Sequence, residues 1–219
     1  MGMTLSTGTT VSIASTYATA KTFSSISNAA QAVASYVADP SLIVGDIVEV
    51  TSGWGRLNGR VVRVAAISGA GPYLVTFDDV VTTDTAKYPA AGGAGSTREI
   101  TAWTEITQIK SLSAGGGDPK YADITTMADV TERQMPTTRG AVTIDMETFD
   151  DPTLAHFAIV VAAADANTIT AMKMAFANGS TLYANAYWSV QKVPGIAKNE
   201  ALTTKINASY TADPIRYAD

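Results

Sequence analysis

Apolar residues alternate with small polar residues along most of the chain, and this period of two is typical of half-buried β-strands. The alternation begins at Val11–Ala14 and continues through Lys21–Ile26. It is clearest at Tyr73–Phe77 and Val142–Met146, where every second residue is apolar. The pattern predicts a mainly β fold.

The alanine-rich segment 27–36 is open to two interpretations. It is either a helix capped by a serine or two strands joined by a turn. Phe23, Val33 and Val37 do not form a stripe with helical spacing, so we favour strand, turn, strand.

Short strands separated by turn residues occupy residues 45–88. Asn58–Gly59 is a strong hairpin signal, because this dipeptide readily adopts the left-handed conformation of a tight hairpin turn. Several short strands in so short a segment are typical of a small SH3-like β-barrel. The glycine-rich segment 89–95 is expected to be a flexible loop that closes it. We place this barrel, as an insertion, at residues 40–100.

A helix is predicted at residues 151–166. Asp150 and Asp151 can cap its first backbone N–H groups, and Pro152 suits its first position. Its expected apolar face comprises Leu154, Phe157, Ala158 and Val161. Asn167 is the expected stop.

An Asn178–Gly179 hairpin turn and a closing strand at 202–212 follow the helix. Together with the strand before the helix, these elements predict a compact β-sandwich or barrel with one packed helix.

The polar stretch Tyr121–Thr138 has little periodicity, and the predicted loop that contains it, 113–138, is long for a connection within a compact domain. Loops of this length are usually functional or disordered, so we predict a long functional loop here. The chain is then divided into N-terminal strands at 1–39, the small barrel at 40–100 and a core domain at 101–219.

Composition narrows the range of functions. Of 219 residues, 46% are hydrophobic and 16% are charged, which excludes wholesale disorder. Cysteine is absent and there is a single histidine, which excludes cysteine nucleophiles, zinc–thiolate sites and histidine-rich metal sites. The formal net charge of −5 provides no broad basic surface, which argues against tight nucleic-acid binding.

The chain shows no signal for export or for a membrane. Its first residues lack the basic and apolar regions of a secretory signal. Its longest apolar run, Phe157–Ala164, is too short to cross a bilayer. We expect a soluble protein that is not exported.

The residues able to carry chemistry do not form a recognisable catalytic motif. His156 is interpreted as a helix-surface or half-buried histidine rather than a general base, since no G-x-S-x-G motif supplies a nucleophile. Glycine-rich stretches at 69–71, 92–95 and 115–117 do not continue into Gly-Lys-Ser/Thr, so we interpret them as loops rather than phosphate sites. We predict no enzyme activity, no cofactor and no metal.

Acidic and aromatic residues also favour structural roles. Two acidic groups lack EF-hand spacing and are interpreted as solvated or capping carboxylates. These groups are Asp78, Asp79 and Asp84, and separately Asp145, Glu147, Asp150 and Asp151. Trp54, Trp103 and Trp188 are too scattered for a base-stacking surface, and at least two are expected in the core.

From Trp103 to Asp219 the chain resembles the tail tube proteins of long-tailed phages of the lambda type. The resemblance is carried by the segments TEITQIKSLSAGGGDPKYADITT, AVTIDMETF, DPTLAHFAIVVAAADAN, ITAMKMAFANGSTLYANAYWSV and ALTTKINASYTADPI. The turn at 176–180 and the helix before it are the most recognisable pieces. The barrel at 40–100 is similar to small modules of many phage structural proteins.

The resemblance implies a structural virion protein whose copies form stacked, hexameric rings of a siphovirus tail tube. It implies contacts with a tape measure protein and with tail terminator and tip proteins. DNA would pass through the lumen without specific binding during ejection. The protein would assemble in the bacterial host cytoplasm, end in the virion tail and require no membrane.

Two sets of residues are candidates for these roles. The loop at 113–138 is the candidate stacking contact, through Asp118, Lys120, Tyr121, Asp123, Glu132 and Arg133. Asp145 and Glu147 alternate along one strand and are candidates for lumen carboxylates that repel DNA.

Two alternatives remain open at this point. A carbohydrate-binding or other β-module of the virion would use exposed aromatic residues such as Trp54, Tyr73 and Tyr88. An unusual hydrolase would need His156 or a pair of carboxylates.

Overall fold

The protein was analysed as a computed structural model that describes residues 7–218. Residues 1–6 of the predicted N-terminal strands, and Asp219, lie outside this range. Within it the chain is mainly β, with one large antiparallel sheet and a single α-helix, which confirms this part of the predicted fold class. The SH3-like character of segment 40–100 stays a prediction.

The secondary structure elements follow one another closely along the chain. The first eight strands are β1 (Thr10–Tyr17), β2 (Lys21–Phe23), β3 (Ser25–Ile26), β4 (Val33–Tyr36), β5 (Ile47–Ser52), β6 (Arg60–Ser68), β7 (Tyr73–Phe77) and β8 (Gly95–Ile106). The next elements are β9 (Ile109–Gly116), β10 (Pro119–Asp123), β11 (Gln134–Arg139), β12 (Val142–Phe149) and α1 (Ala155–Asp165). The last are β13 (Ile169–Ala175), β14 (Thr181–Val190), β15 (Thr203–Tyr210) and β16 (Ile215–Tyr217).

The large sheet of the described residues has the strand order β3-β4-β7-β6-β5-β8-β1-β13-β14-β15-β12-β9. In addition, β2 pairs with β8 and β16 pairs with β14. Strands β10 and β11 pair only with each other and form a separate two-stranded sheet. The main path of the sheet therefore ends at β3 and at β9.

Strand β8 connects the two halves of the large sheet. Its first residues pair with β2 and β5, and its remaining residues pair with β1. The boundary predicted between residues 100 and 101 falls inside this strand.

Two apolar clusters form the core. One lies among β2–β8 and also takes in Tyr183, Ile215 and Tyr217 from the end of the chain. The other contains Val160 and Ala163 of α1, packed against the sheet. Because the first cluster draws on both ends of the chain, the 40–100 segment shares its core with the strands that follow α1.

Polar contacts reinforce this connection. The Tyr217 hydroxyl accepts a hydrogen bond from the backbone N–H of Arg63 at 2.9 Å, and the Tyr17 hydroxyl accepts one from Ala171 at 2.8 Å. The Asn185 side chain donates to Glu49 at 3.0 Å. These contacts tie β6 to β16, β1 to β13 and β5 to β14.

The predicted turns are confirmed. Gly59 and Gly179 have positive φ angles and lie between the paired strands β5 and β6, and β13 and β14. The strand, turn, strand interpretation of 27–36 is also confirmed, because β3 and β4 pair across a turn.

The helix starts later than predicted. It begins at Ala155 with no side-chain cap at Leu154. Asp151 instead accepts hydrogen bonds from the backbone and hydroxyl of Thr153, and Asp150 accepts one from Thr204. Asp151 therefore caps the turn before the helix, and Asp150 binds a threonine side chain of β15. Their predicted role as helix caps was wrong.

The predicted buried face of the helix was also wrong. The buried residues are His156, Val160 and Ala163. Residues 157–164 are all apolar, so the sequence offers no polar contrast that selects one face. Asn167 has a φ of 49° and ends the helix as predicted.

Segment 113–138 is not the single long loop that was predicted. It contains the end of β9, all of β10 and most of β11. Strands β10 and β11 pair with each other as a hairpin. The strands were missed because their residues face solvent on both sides and show no apolar alternation.

The glycine-rich segment 89–95 is packed rather than loose. A side chain at Gly93 would overlap Ile26 and the Trp54 ring, and one at Gly95 would overlap the Thr51 carbonyl oxygen. Glycine is needed at these positions because neighbouring side chains and backbone approach closely, and not because the segment must be flexible.

No helix within residues 7–218 is long and apolar enough to span a bilayer.

Candidate assembly surfaces

One face of the large sheet is covered by α1 and the other is largely open near β9, β12, β14 and β15. Met146, Trp188 and Ile206 belong to the same apolar cluster as Val160 and Ala163 of α1. Their strand neighbours point the opposite way and surround a shallow depression of about 640 Å³. We call this surface the open face and define it as Ser111, Ser113, Asp145, Glu147, Ser189, Lys205 and Asn207.

Strand register determines which polar groups meet on the open face. Asp145 lies opposite Asn207, whose side-chain amide donates to it at 2.6 Å. Glu147 lies opposite Lys205 and also contacts Lys110 at 3.3 Å. The predicted lumen candidates are therefore next to each other on one face.

The charges on this face nearly cancel. A hydrogen bond with Thr203, then one with Lys110, lowers the pKa of the Glu147 carboxyl, and Lys205 adds a smaller effect in the same direction. Glu147 therefore stays ionised at neutral pH. Lys110 and Lys205 balance the charges of Asp145 and Glu147, so this part of the face is not strongly acidic. Its remaining polar groups are serine hydroxyls and an asparagine amide.

The predicted stacking residues all lie in or beside the hairpin formed by β10 and β11. We call residues 119–139 the arm and residues 124–133 its tip. Asp118 lies just before the arm, and its carbonyl accepts a hydrogen bond from Gly140 at 2.9 Å, which closes the base. Lys120 accepts a bond from the Thr137 hydroxyl through its carbonyl at 3.0 Å, between the two strands.

The remaining predicted residues lie toward the tip. The Asp123 carboxylate accepts hydrogen bonds from the backbone and hydroxyl of Thr125, and these contacts lower its pKa. Arg133 lies 3.6 Å from Asp129. Glu132 is exposed. These polar groups organise the tip locally.

The arm also exposes five apolar side chains, of which only Tyr121 was predicted from the sequence. They are Tyr121, Ile124, Met127, Val130 and Met135. Met127 and Val130 are fully exposed at the tip. Single apolar residues on a surface are ordinary, but five on one two-stranded projection are typical of an interaction surface.

A second exposed apolar cluster lies near the end of β12 that is farthest from the arm. We call it the end patch and define it as Phe149, Val193, Ile196 and Leu202. Gly195, between Val193 and Ile196, bridges to Thr203, which lies opposite Phe149. No local sequence pattern reveals this patch, because its members come from β12 and from the connection between β14 and β15.

The histidine that the hydrolase alternative would need is not exposed to a substrate. His156 lies on the buried side of α1, with Val160 and Ala163, and burial lowers its pKa. The predicted helix-surface or half-buried position was therefore wrong. No group of three acidic or histidine side chains within residues 7–218 is arranged to hold a metal ion.

The aromatic residues proposed for carbohydrate binding are mostly in the core. Trp54 and Tyr88 are buried in edge-to-face contact, and the Trp54 indole donates to the Pro89 carbonyl at 2.8 Å. Tyr73 is partly buried. Trp54 and Trp188 are both buried, which confirms the prediction that at least two tryptophans lie in the core.

Comparison with known protein families gives a match over most of the chain. The family described as "Phage tail tube protein, TTP" matches residues 52–219. No curated protein matches the chain. The family match begins within β5, so it includes most of the barrel segment as well as the strands around the open face.

Proposed function

Because the chain belongs to the phage tail tube protein family, we propose that its copies form stacked hexameric rings that build the tube of a siphovirus tail. Membership makes the protein a structural component of the virion tail and not an enzyme. The family match over residues 52–219 is the observation that carries the proposal.

Ring closure is supported by the exposed edge of the large sheet. Strand β9 lies at one end of the strand order, and almost all of its residues are exposed. An open edge of this length normally invites uncontrolled pairing. A ring in which each copy covers the β9 edge of the next removes that risk, since a head-to-tail contact can close by rotation.

In this proposal the arm makes the contact between rings. Asp118, Lys120, Tyr121, Asp123, Glu132 and Arg133 all lie at its base, along its strands or near its tip. Its strands pair only with each other, so the arm is free to meet a second copy. Its exposed apolar side chains would be buried when a ring is added.

The open face is proposed to line the lumen, with Asp145 and Glu147 on it. Serine, asparagine and paired charges offer DNA few unpaired cations, so phosphates find little to bind. Screening over about 8 Å at physiological ionic strength limits the effect to groups close to the DNA.

The further partners are proposals of the same kind. A tape measure protein would occupy the lumen during assembly, and terminator and tip proteins would contact the tube ends. DNA would cross the tube during ejection. Assembly would take place in the host cytoplasm, and no membrane would be involved.

Negative-stain electron microscopy of the concentrated purified protein tests the proposal. We expect hollow filaments or rings of uniform width. A chain that stays monomeric at high concentration, and that is absent from the tails of intact particles, would contradict it.

A further inference from the structure

We propose that the tip of the arm docks on the end patch of a second copy of this chain. The inference deepens the proposed function, on which it rests, by naming the surface that receives the arm. Its basis is that the structure leaves two exposed apolar surfaces at opposite ends of one set of strands.

The strand register establishes that these two ends are opposite. Gly116 pairs with Val142 at the end where the arm leaves β9 and returns to β12. Phe149 pairs with Thr203 at the other end, beside the connection that carries the rest of the end patch. Eight residues of β12 separate the two ends, about 25 Å at 3.3 Å per residue.

This arrangement excludes contact within one molecule and suits contact between molecules. The arm residues and the patch residues are both exposed, and the arm strands pair only with each other, so the tip does not cover the patch of its own chain. Because the tip and the patch lie at opposite ends of the strands, they join copies head to tail along the strand direction rather than around a ring. Such a contact repeats without limit and produces a filament.

The two surfaces match in chemical character. Met127 and Val130 are fully exposed at the tip, and Val193 and Ile196 are 69% and 78% exposed on the patch. Methionine fills irregular apolar surfaces well, because its side chain is unbranched and adaptable. Burial of both surfaces removes apolar area from water at each ring junction.

Charge distinguishes the end patch from a rival surface on the barrel. Val37, Ile43 and Val44 are also exposed and apolar. Segment 37–46, however, carries Asp39 and Asp46 with no Lys or Arg.

The tip and its flanking residues, 123–133, also have an excess of acidic groups, with Asp123, Asp129 and Glu132 against Arg133. Segment 191–202 has Lys192 and Lys198 against Glu200, and Lys192 pairs with Asp165 at 2.5 Å. Like charges disfavour the barrel surface, so we assign the arm to the end patch.

Thiol cross-linking tests the assignment cleanly, since the chain contains no cysteine. The variant Met127→Cys/Ile196→Cys places one thiol on the tip and one on the patch. The two positions are too far apart for an intramolecular disulfide, which needs Cα atoms within about 7 Å. Oxidation of assembled tubes, followed by denaturing electrophoresis, should therefore give a ladder of covalent multimers.

Met127→Cys/Val44→Cys is the matched control for the rival surface and should stay monomeric on the gel. Tubes that form normally but give no ladder with Ile196→Cys, or give it with Val44→Cys instead, would overturn the inference and leave the proposed function intact. If the unmodified chain forms neither rings nor tubes, the proposed function fails first and the inference fails with it.

A charge substitution provides a second test. Val193→Asp/Ile196→Asp places two carboxylates on the patch without disturbing the core, because both residues are exposed. We expect single rings and complete loss of long tubes, with an unchanged melting temperature. Val37→Asp/Val44→Asp should assemble like the unmodified chain, and long tubes from the patch variant would overturn the assignment.

Discussion

Gly95 illustrates how one missing side chain determines local packing. It begins β8 between β2 and β5, where the Thr51 carbonyl occupies the place of a Cβ atom. Gly55, in a nearby turn, has open space at the same position and no positive φ. The two glycines thus provide a matched pair.

We expect Gly95→Ala to lower the free energy of unfolding by about 1–3 kcal/mol, because the backbone must shift to admit the methyl group. Gly55→Ala should change it by less than about 0.5 kcal/mol. Urea denaturation of both variants checks this. Equal stability of the two variants would show that the Gly95 contact relaxes at no cost.

The only histidine of the chain makes a pH prediction at the same scale. Burial lowers the pKa of His156 below its ordinary value of 6.5, and Asp151 opposes this only in part. Unfolding exposes the ring and lets it bind a proton more readily. Its contribution to stability is therefore complete above pH 6.5 and is lost as the pH falls toward the pKa of the folded state.

We expect the melting temperature to fall between pH 7 and pH 5, and to fall less in His156→Leu. Thermal unfolding followed by circular dichroism at several pH values measures this. The carboxylates with lowered pKa, such as Asp123 and Glu147, titrate below this range. A parallel decline in both proteins would rule out His156 as the source.

The arm is the element whose removal is most informative. Deletion of residues 119–139 leaves Gly117, Asp118, Gly140 and Ala141 as a short loop between β9 and β12. The backbone of Asp118 and Gly140 is already hydrogen-bonded at 2.9 Å, so the ends meet without strain. The deletion joins Asp118 to Gly140 and so creates the Asp-Gly dipeptide favoured in hairpins.

We expect the shortened chain to fold with a melting temperature within a few degrees of the full chain and to form no long tubes. Thermal unfolding and electron microscopy at matched concentration test the two halves of this statement. Tubes of normal length from the shortened chain would show that the arm is not the stacking contact.

The whole molecule should unfold as one unit, because β8 and the first apolar cluster belong to both parts of the chain. We expect a single calorimetric transition rather than two. Tyr217→Phe should lower the stability of the entire protein by about 1–3 kcal/mol, since it removes the hydroxyl that accepts from the Arg63 N–H and donates to the Asp78 carbonyl.

Tyr187→Phe, at an exposed site, is the control and should be nearly neutral. Separate transitions, one of them unaffected by Tyr217→Phe, would instead identify the 40–100 segment as an independent domain.

The lumen proposal also belongs to the whole molecule. Asp145→Lys/Glu147→Lys would leave Lys110 and Lys205 unbalanced and turn the open face basic. DNA ejection from particles carrying this variant should be several times slower, most strongly at low salt. Asp39→Lys/Asp213→Lys makes the same change in net charge elsewhere and is the control. Normal ejection in the first variant would contradict the lumen assignment.

The sequence alone was sufficient for features that depend on neighbouring residues. Alternating apolar positions predicted strands such as β7 and β12, and the two Asn-Gly dipeptides predicted hairpin turns. These features depend on local backbone preferences and on which side of a strand is apolar.

Only the tertiary structure decided which residues meet. It put His156 on the buried side of a helix whose apolar residues select no face, and it placed Lys110 and Lys205 beside Glu147. It turned a polar stretch into an arm and set an apolar patch at the far end of the same strands. These outcomes depend on pairing between strands distant in sequence, which a local pattern does not encode.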